Sequence, residues 1–134
     1  MGRITPSKED YLETLLELSG GDGATPVKSI DVAAELGYSR ASISRAMGLL
    51  REDGFVSQEH YGQITLTEKG LSQAQAVRRR HDLLQYYLLH ILEVDTATAA
   101  ADACKLEHVV SETTLCRIEA ISEKHMREYH GGRR

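Results

Sequence analysis

A thiol, a carboxylate and an imidazole lie close together in the stretch Cys104-Lys105-Leu106-Glu107-His108. In a helix, residues three and four positions apart share one face, so Cys104, Glu107 and His108 are expected to point the same way. A sulfur, an oxygen and a nitrogen donor together favour a transition metal over calcium or magnesium. The stretch alone also fits a solvated helix surface, and ligands elsewhere in the chain have to decide between the two.

Three further candidate ligands precede this stretch. Asp10 and Glu13 are three positions apart in the predicted N-terminal helix, where they also fit a solvated edge. His81 falls within a long predicted linking helix over about 67–92, directly after the basic run Arg78-Arg79-Arg80. That run would either bind phosphate or keep the helix solvated.

The bulk composition limits the function classes. The 134 residues are 41% hydrophobic and 27% charged, which is typical of one or two small globular domains. No run of about 18 apolar residues occurs and the N-terminus lacks a signal-peptide core, so we expect a cytoplasmic protein with no membrane partner. A net charge of −4 argues against a protein that coats nucleic acid indiscriminately but allows a local basic face. Cys104 and Cys116 are too few for a disulfide framework, so both are expected to be thiols.

Residues 27–53 predict a helix-turn-helix. Gly37 provides the turn, and Ser39 begins a second helix that ends at Glu52. Between Ser39 and Arg51 there are three arginines and no acid, so the exposed face of this second helix is basic. An ordinary helical hairpin with a solvated arginine face is the alternative. The apolar face of the first helix, over 28–36, is predicted as Ile30, Ala33, Ala34 and Leu36, and that of the second as Ile43, Met47 and Leu50.

The second helix of such a motif lies in the major groove and presents its first side chains to base edges. Two short β-prone runs, 55–58 and 63–66, follow it and predict a hairpin, or wing, whose tip carries His60 and Tyr61. His60 fits a phosphate contact or an exposed loop better than a metal ligand. The candidate DNA contacts are Lys28, Ser39, Arg40, Ala41, Ser42, Ser44, Arg45 and Tyr61.

The pattern as a whole predicts a mainly α protein with two domains. An N-terminal winged helix-turn-helix domain over 1–70 begins with a helix over 6–19, and a C-terminal helical domain follows over 71–134. Asp95 and Ser111 are the expected caps of two C-terminal helices, the first of which would end near Val109. The apolar faces of these helices exceed what a small module needs to cover, so we expect them to form a homodimer interface.

Taken together, the acidic first helix, the winged helix-turn-helix, His81 and the Cys-x-x-Glu-His helix resemble the diphtheria toxin repressor family of metal-dependent transcriptional regulators. The resemblance covers nearly the whole chain, and the family's manganese transport regulators are closest to it in length. It implies metal ligation by six residues, which are Asp10, Glu13, His81, Cys104, Glu107 and His108.

The implied ligand set mixes two branches of that family. Asp10 and Glu13 match the manganese branch, whereas Cys104 matches the iron branch and the other three ligands match both. Gln85 and Ala100 stand where the iron branch has ligands of a second site, so the resemblance implies a binuclear site of the manganese kind. The SH3-like domain of the longer members is expected to be absent.

The resemblance also implies the mode of action. A metal-bound homodimer would bind palindromic double-stranded operator DNA and repress metal homeostasis genes, without catalysing a reaction. The implied cofactor is Mn(II) or Fe(II), with Co(II), Zn(II) and Cd(II) as substitutes. Two alternatives stay open: a winged-helix regulator that senses redox state through Cys104, and a metallohydrolase with Glu107 as general base beside a metal held by His81 and His108.

Overall fold

A computed structural model describes residues 6–58 and 62–131. The chain divides into two compact units, the first ending at Ala76 and the second beginning at Val77. The elements of the first unit are α1 (Pro6–Leu18), β1 (Val27–Lys28), α2 (Ser29–Leu36), α3 (Arg40–Glu52), β2 (Val56–Gln58), β3 (Gln63–Leu66) and the start of α4 (Glu68–Tyr86).

The predicted helix-turn-helix and wing are both present in the first unit. Gly37 ends α2 with a φ of 71°, a left-handed conformation that glycine adopts readily, and the Ser39 side chain caps α3 by accepting the N–H of Ser42. β2 and β3 form the antiparallel hairpin, and β1 adds a third strand in the order β1-β3-β2, with Val27 opposite Ile64. The sequence prediction was wrong for Lys28, which was assigned to α2 but lies in β1.

The hydrophobic core of the first unit lies among α1, α2, α3 and the sheet. As predicted, α3 buries Ile43, Met47 and Leu50. The predicted face of α2 was right for Ala33, which is buried, and for Leu36, which packs against the core. It was wrong for Ile30, which is 49% exposed, and it missed Val32, which is fully buried. Each helical residue turns the side chain by about 100°, so a helix that buries Val32 turns Ile30, two positions earlier, to the opposite side.

The start of α4 is hydrogen-bonded to the residues at the start of the wing. The Thr67 N–H donates to the carbonyl of Phe55 over 3.0 Å, and the Thr67 hydroxyl donates to the carbonyl of Gly54 over 2.6 Å. Gly70 lies so close to Phe55, the residue before β2, that a Cβ added to it would overlap the Phe55 carbonyl oxygen. The α4 backbone therefore requires a residue without a side chain at this position.

The second unit contains the rest of α4, a π-helical turn (Tyr87–Ile91), α5 (Thr96–Leu106) and α6 (Glu112–Gly131). The predicted caps are confirmed, since the Asp95 carboxylate accepts the Thr98 N–H over 3.0 Å and the Ser111 hydroxyl accepts the Thr114 N–H over 3.2 Å. These contacts from Thr98 hold the pKa of Asp95 below its ordinary value of 3.8. The core consists of Leu84, Leu88, Ala99, Ala103 and Leu115.

Two helix ends in the second unit differ from prediction. The linking helix was expected to reach residue 92 as a regular helix, but it changes at Tyr87 into the π-helical turn, where the Leu92 N–H donates to the Tyr87 carbonyl over 3.0 Å. Glu93 then takes a left-handed conformation with φ 57°. α5 ends at Leu106 rather than near Val109.

Several large apolar side chains of the second unit are exposed. Val109 is 74% exposed, Leu92 53% and Ile121 50%, and Tyr129 is also largely accessible. Exposed apolar groups of this number on so small a unit are typical of a surface that another protein covers. No helix in the described ranges is long and apolar enough to cross a membrane.

Candidate metal centre and DNA-binding surface

A buried carboxylate lies at the centre of the second unit's candidate ligands. Glu107 is only 1% exposed, and two imidazoles contact it from either side. His81 Nδ1 lies 3.1 Å from Glu107 Oε2, and His108 Nε2 lies 3.4 Å from Glu107 Oε1. Burying a carboxylate is unfavourable unless cations or hydrogen-bond donors compensate its charge, so this cluster is suited to bind a cation.

Different elements position the three side chains. His81 belongs to α4, whereas Glu107 is the C-cap residue directly after α5 and donates its N–H to the Ala103 carbonyl. His108 follows the helix end, where its N–H donates to the Lys105 carbonyl over 3.4 Å. Cys104, Glu107 and His108 were expected on one face of a helix. Only Cys104 lies within α5, because the helix ends before Glu107 and His108.

Cys104 lies at the exposed side of this cluster. Its side chain is exposed, and its Sγ lies 3.9 Å from His81 Nδ1. The thiol is thus within reach of the same imidazole that contacts the Glu107 carboxylate. Cys116, on α6, is exposed as well.

The donor set fits a first-row transition metal. Ligand atoms bound tetrahedrally at about 2.1 Å from one ion lie about 3.4 Å apart. Within each histidine–carboxylate pair, the nitrogen-to-oxygen distance, 3.1 Å for His81 and 3.4 Å for His108, is close to that spacing. Two imidazoles, a carboxylate and an adjacent thiol suit Mn(II), Fe(II), Co(II) and Zn(II) to different degrees, since the thiol favours the softer ions.

Two arginines of the basic run before His81, Arg78 and Arg79, are exposed, as the solvated alternative predicted, whereas Arg80 is not. Arg78 pairs with Asp82 over 3.9 Å, and Arg79 forms an ion pair with Glu119 of α6. Arg80 is buried and its Nε donates to the main-chain carbonyl of Glu107 over 2.9 Å. This contact was not predictable from the sequence, because nothing in a run of three arginines shows which one points inward.

The other two predicted ligands belong to the first unit. Asp10 and Glu13 both lie on α1, where Asp10 is exposed and Glu13 is partly buried. Tyr11 lies between them in sequence, and burial raises the pKa of its phenol, with the neighbouring Tyr38 and Asp10 raising it further. Glu9, which the sequence analysis did not single out, is a buried acid on the same helix.

The predicted DNA contacts of the first unit that the structure describes are all exposed. They are Lys28, Ser39, Arg40, Ala41, Ser42, Ser44 and Arg45. Lys28, Arg40 and Ser44 line one cleft of about 450 Å³ that Gly62 of the wing also borders. Ser42 and Arg45 line a second cleft of about 320 Å³, beside Lys8 of α1. The predicted wing contact, Tyr61, and the neighbouring His60 lie outside the described residues.

Comparison with known proteins identifies the family. Residues 3–64 match the model of the iron dependent repressor N-terminal DNA binding domain, and residues 67–134 match that of the iron dependent repressor metal binding and dimerisation domain. The chain belongs to the iron-dependent repressor family. It therefore has the mainly helical architecture of that family, with a DNA-binding domain followed by a metal-binding and dimerisation domain.

Three curated relatives are similar to this chain over most of its length. It is 34% identical over 121 residues to an uncharacterized HTH-type transcriptional regulator of Methanocaldococcus jannaschii, a match that covers 90% of this chain and 96% of that one. It is 32% identical over 117 residues to the transcriptional regulator MntR of Escherichia coli, covering 87% and 74%. Identity to the iron-dependent repressor IdeR of Mycobacterium tuberculosis is 31% over 121 residues, covering 90% of this chain but 52% of IdeR.

Solved structures of family members show the same fold. A manganese-dependent transcriptional repressor in complex with manganese superposes with a TM-score of 0.76 and 30% identity, covering 87% of this chain and 52% of that one. The manganese-activated repressor ScaR has been solved with Zn²⁺ and with Cd²⁺. Relatives thus include iron- and manganese-dependent regulators, and the chain spans about half the length of these solved proteins.

Proposed function

We propose that this chain is a Mn(II)- or Fe(II)-dependent transcriptional repressor. As a metal-bound homodimer, it binds palindromic operator DNA and controls genes of metal homeostasis. The metal acts as a corepressor, and the protein is not an enzyme. Residues 1–70 serve as the DNA-binding domain and residues 71–134 as the metal-binding and dimerisation domain.

The observation that carries this proposal is the buried Glu107 carboxylate with an imidazole on each side. His81 and His108 lie within 3.1 and 3.4 Å of its two oxygens. A buried acid with a histidine at each of its two oxygens, in a domain whose family binds metal, is accounted for by metal binding at this carboxylate and its neighbouring imidazoles. When bound, the ion would supply two positive charges that compensate the buried carboxylate.

Three further residues complete the proposed ligand set. Cys104 is included because its sulfur lies 3.9 Å from His81 Nδ1. Asp10 and Glu13 are included on the sequence resemblance, in which the manganese branch uses carboxylates at these two positions. With oxygen-rich ligands the site favours Mn(II) or Fe(II), and Co(II), Zn(II) and Cd(II) would substitute most readily if the thiolate binds.

The proposed DNA contacts follow from the exposed, basic start of α3. Its capped N-terminus presents Arg40, Ser44 and Arg45 without an acidic residue among them. Lys28, the last residue of β1, adds a positive charge to the cleft that Arg40 lines. Arginine and serine side chains at the first turns of a recognition helix bind phosphates and base edges. Ser39, Ala41, Ser42 and, in the wing, Tyr61 complete the proposed contact surface.

A binding titration tests the proposal. The operator is first selected from a random pool of duplex DNA with Mn(II) present, and its affinity is then measured with Mn(II), anaerobic Fe(II), Zn(II) or chelator. We expect Mn(II) or Fe(II) to tighten binding by about 10- to 100-fold, the usual size of allosteric coupling. Glu107→Gln should abolish this effect, whereas Glu123→Gln, an exposed acid on α6, should keep it. Equal affinity with metal and with chelator would refute the proposal.

The exposure of Cys104 favours the redox alternative enough to test it in the same assay. Cys104→Ser should retain metal-dependent DNA binding if the metal is the signal, although the preference among metals would change. A Co(II) complex should show a thiolate charge-transfer band that Cys104→Ser removes. If instead the DNA affinity of the parent protein responds to peroxide and not to metal, the redox function is established.

A further inference from the structure

Arg80 is the buried member of the basic run on α4. Its side chain is 7% exposed, and its Nε donates a hydrogen bond to the main-chain carbonyl of Glu107 over 2.9 Å. Arginine is rarely buried without a specific partner, because removing a guanidinium from water is unfavourable. The contact with Glu107 is therefore a feature that the fold maintains.

The acceptor of this hydrogen bond is a carbonyl at the end of a helix. Glu107 is the C-cap residue directly after α5, and the last carbonyls of a helix lack a partner within the helix. They also carry the negative end of the helix dipole, so a guanidinium there is favourable on both counts. Arg80 thus fixes the main chain at the point where α5 stops and the candidate ligands Glu107 and His108 follow one another.

Arg80 and His81 are consecutive residues that contact the same partner in two ways. Arg80 binds the main chain of Glu107, and His81 Nδ1 lies 3.1 Å from its carboxylate. Because α4 contacts both the main chain and the side chain of Glu107, the carboxylate has little conformational freedom. Groups that orient a metal ligand without touching the metal commonly affect affinity as strongly as some ligands do.

We propose that Arg80 is a positioning residue of the metal centre. Its guanidinium holds the end of α5 so that the Glu107 carboxylate and the His108 imidazole are placed opposite His81 before a metal binds. This inference rests on the proposed function, because it assigns a role in the site formed by those ligands. Arg80 itself is not a ligand and carries its effect through the Glu107 main chain.

The test uses the full-length protein and a neighbouring arginine as control. Arg80→Ala removes the contact, and Arg80→Lys keeps a positive charge with its N–H donors on one nitrogen. Arg79→Ala removes only the ion pair with Glu119. For each variant, the Kd for Co(II) and Mn(II) is measured together with the NMR signals of the histidine ring protons in the metal-free protein. Thermal unfolding of each metal-free variant shows whether the variant is folded.

We expect Arg80→Ala to weaken metal binding by about 10- to 100-fold, the range for residues that orient ligands. The ring signals of His81 and His108 should shift or broaden in the metal-free protein, because the end of α5 is no longer held. Arg80→Lys should bind metal more tightly than Arg80→Ala but less tightly than the parent protein. If Arg80→Ala does not fold, Arg80→Lys is compared with the parent instead. Arg79→Ala should leave both the Kd and the ring signals near those of the parent protein.

Two results would overturn the inference. One is an Arg80 variant that folds, binds metal as tightly as the parent and leaves the ring signals unchanged. The other is an equal loss of affinity in Arg79→Ala, which would point to the charge of α4 as a whole. If the parent protein binds no metal, the proposed function fails, and the metal-free ring spectra still decide whether Arg80 orders Glu107 and His108.

Discussion

The two units differ in the size of the apolar core that accompanies their buried polar side chains, which include Glu9 in the first unit. The first unit has an extensive apolar core drawn from three helices and a sheet, including the fully buried Leu12, Val32 and Leu50. The core of the second unit contains five buried apolar residues, two of them alanines, and its interior also holds Arg80 and Glu107. A recognition surface needs only a rigid support, whereas a metal site has to bury polar groups that contribute little to stability by themselves. The second unit should therefore depend more on its ligands.

The predicted DNA-binding surface of the first unit and the apolar surface of the second unit also differ in character. In the first unit, the predicted DNA contacts that the structure describes are polar or small, and several carry positive charge. In the second unit, Leu92, Val109 and Ile121 are each at least half exposed. We expect a second copy of the chain to cover this apolar surface, which would add the hydrophobic burial that the second unit's own core lacks.

The largest expected effect tests the core of the first unit. Leu50→Ala should lower the free energy of unfolding by about 2–5 kcal/mol, because it leaves a cavity in a closely packed interior. The adjacent Leu49 is 48% exposed, so Leu49→Ala is the matched control and should change stability by about 0.5 kcal/mol or less. Urea denaturation measures both. Similar losses for the two variants would show that the first unit is not held by its apolar core.

The next effect concerns metal and the second unit. Mn(II) at 100 times its Kd should stabilise the protein by about 2.7 kcal/mol, because it binds only the folded state. Hydrogen exchange should show that protection increases most at the end of α5, around Glu107 and His108, and least in α3. An increase that is uniform over both units would contradict the contrast drawn between them.

A smaller effect is expected at Glu93, in the second unit. Its φ of 57° is left-handed, a conformation that costs a residue with a side chain about 1–2 kcal/mol. Because glycine gives back part of this through its freer unfolded chain, Glu93→Gly should stabilise the protein by about 0.5–1 kcal/mol. Glu123→Gly, in the middle of α6, should instead destabilise by about 1 kcal/mol. Thermal unfolding of the metal-free variants would reveal a wrong sign in either.

The smallest effect is the pH dependence of the α5 cap. Thr98 lowers the pKa of Asp95 below 3.8, so the charged carboxylate stabilises the fold above pH 3.8 and this contribution is lost as the pH falls through the lower, folded-state pKa. Asp95→Asn keeps a capping side chain without the charge. The melting temperatures of parent and variant should therefore differ at neutral pH and converge in acid. A constant difference across that range would remove Asp95 from the acid response.

The longer helices, in which apolar residues recur at helical spacing over several turns, were predictable from the sequence. The turn at Gly37 was also predictable from its residue type. So were the helix caps at Ser39, Asp95 and Ser111, because each side chain accepts the N–H of the residue three positions later. β1 was missed because a two-residue strand has no period of its own and exists only through its pairing with β3. The exposure of Ile30 depends on where α2 begins, which that same pairing determines.

The candidate site was predicted by residue type but not in its arrangement. Sequence spacing indicated Glu107 and His108 as ligands, yet it placed both on a regular helix that in fact ends at Leu106. Arg80 is separated from Glu107 by 27 positions, so the hydrogen bond between them depends on how α4 and α5 pack. Long-range contacts of this kind leave no pattern in a single sequence. The complete ligand set, including Asp10 and Glu13, remains a prediction.

The missing side chain at Gly70 bears on protein engineering. A substitution there would push the first turn of α4 away from the Phe55 carbonyl and break the Thr67 contacts with the wing. A chimera that fuses this DNA-binding unit to another sensor should therefore keep the native sequence through Gly70 and join the two parts farther along α4. A junction placed before Thr67 would import a foreign helix start into a space that admits only glycine.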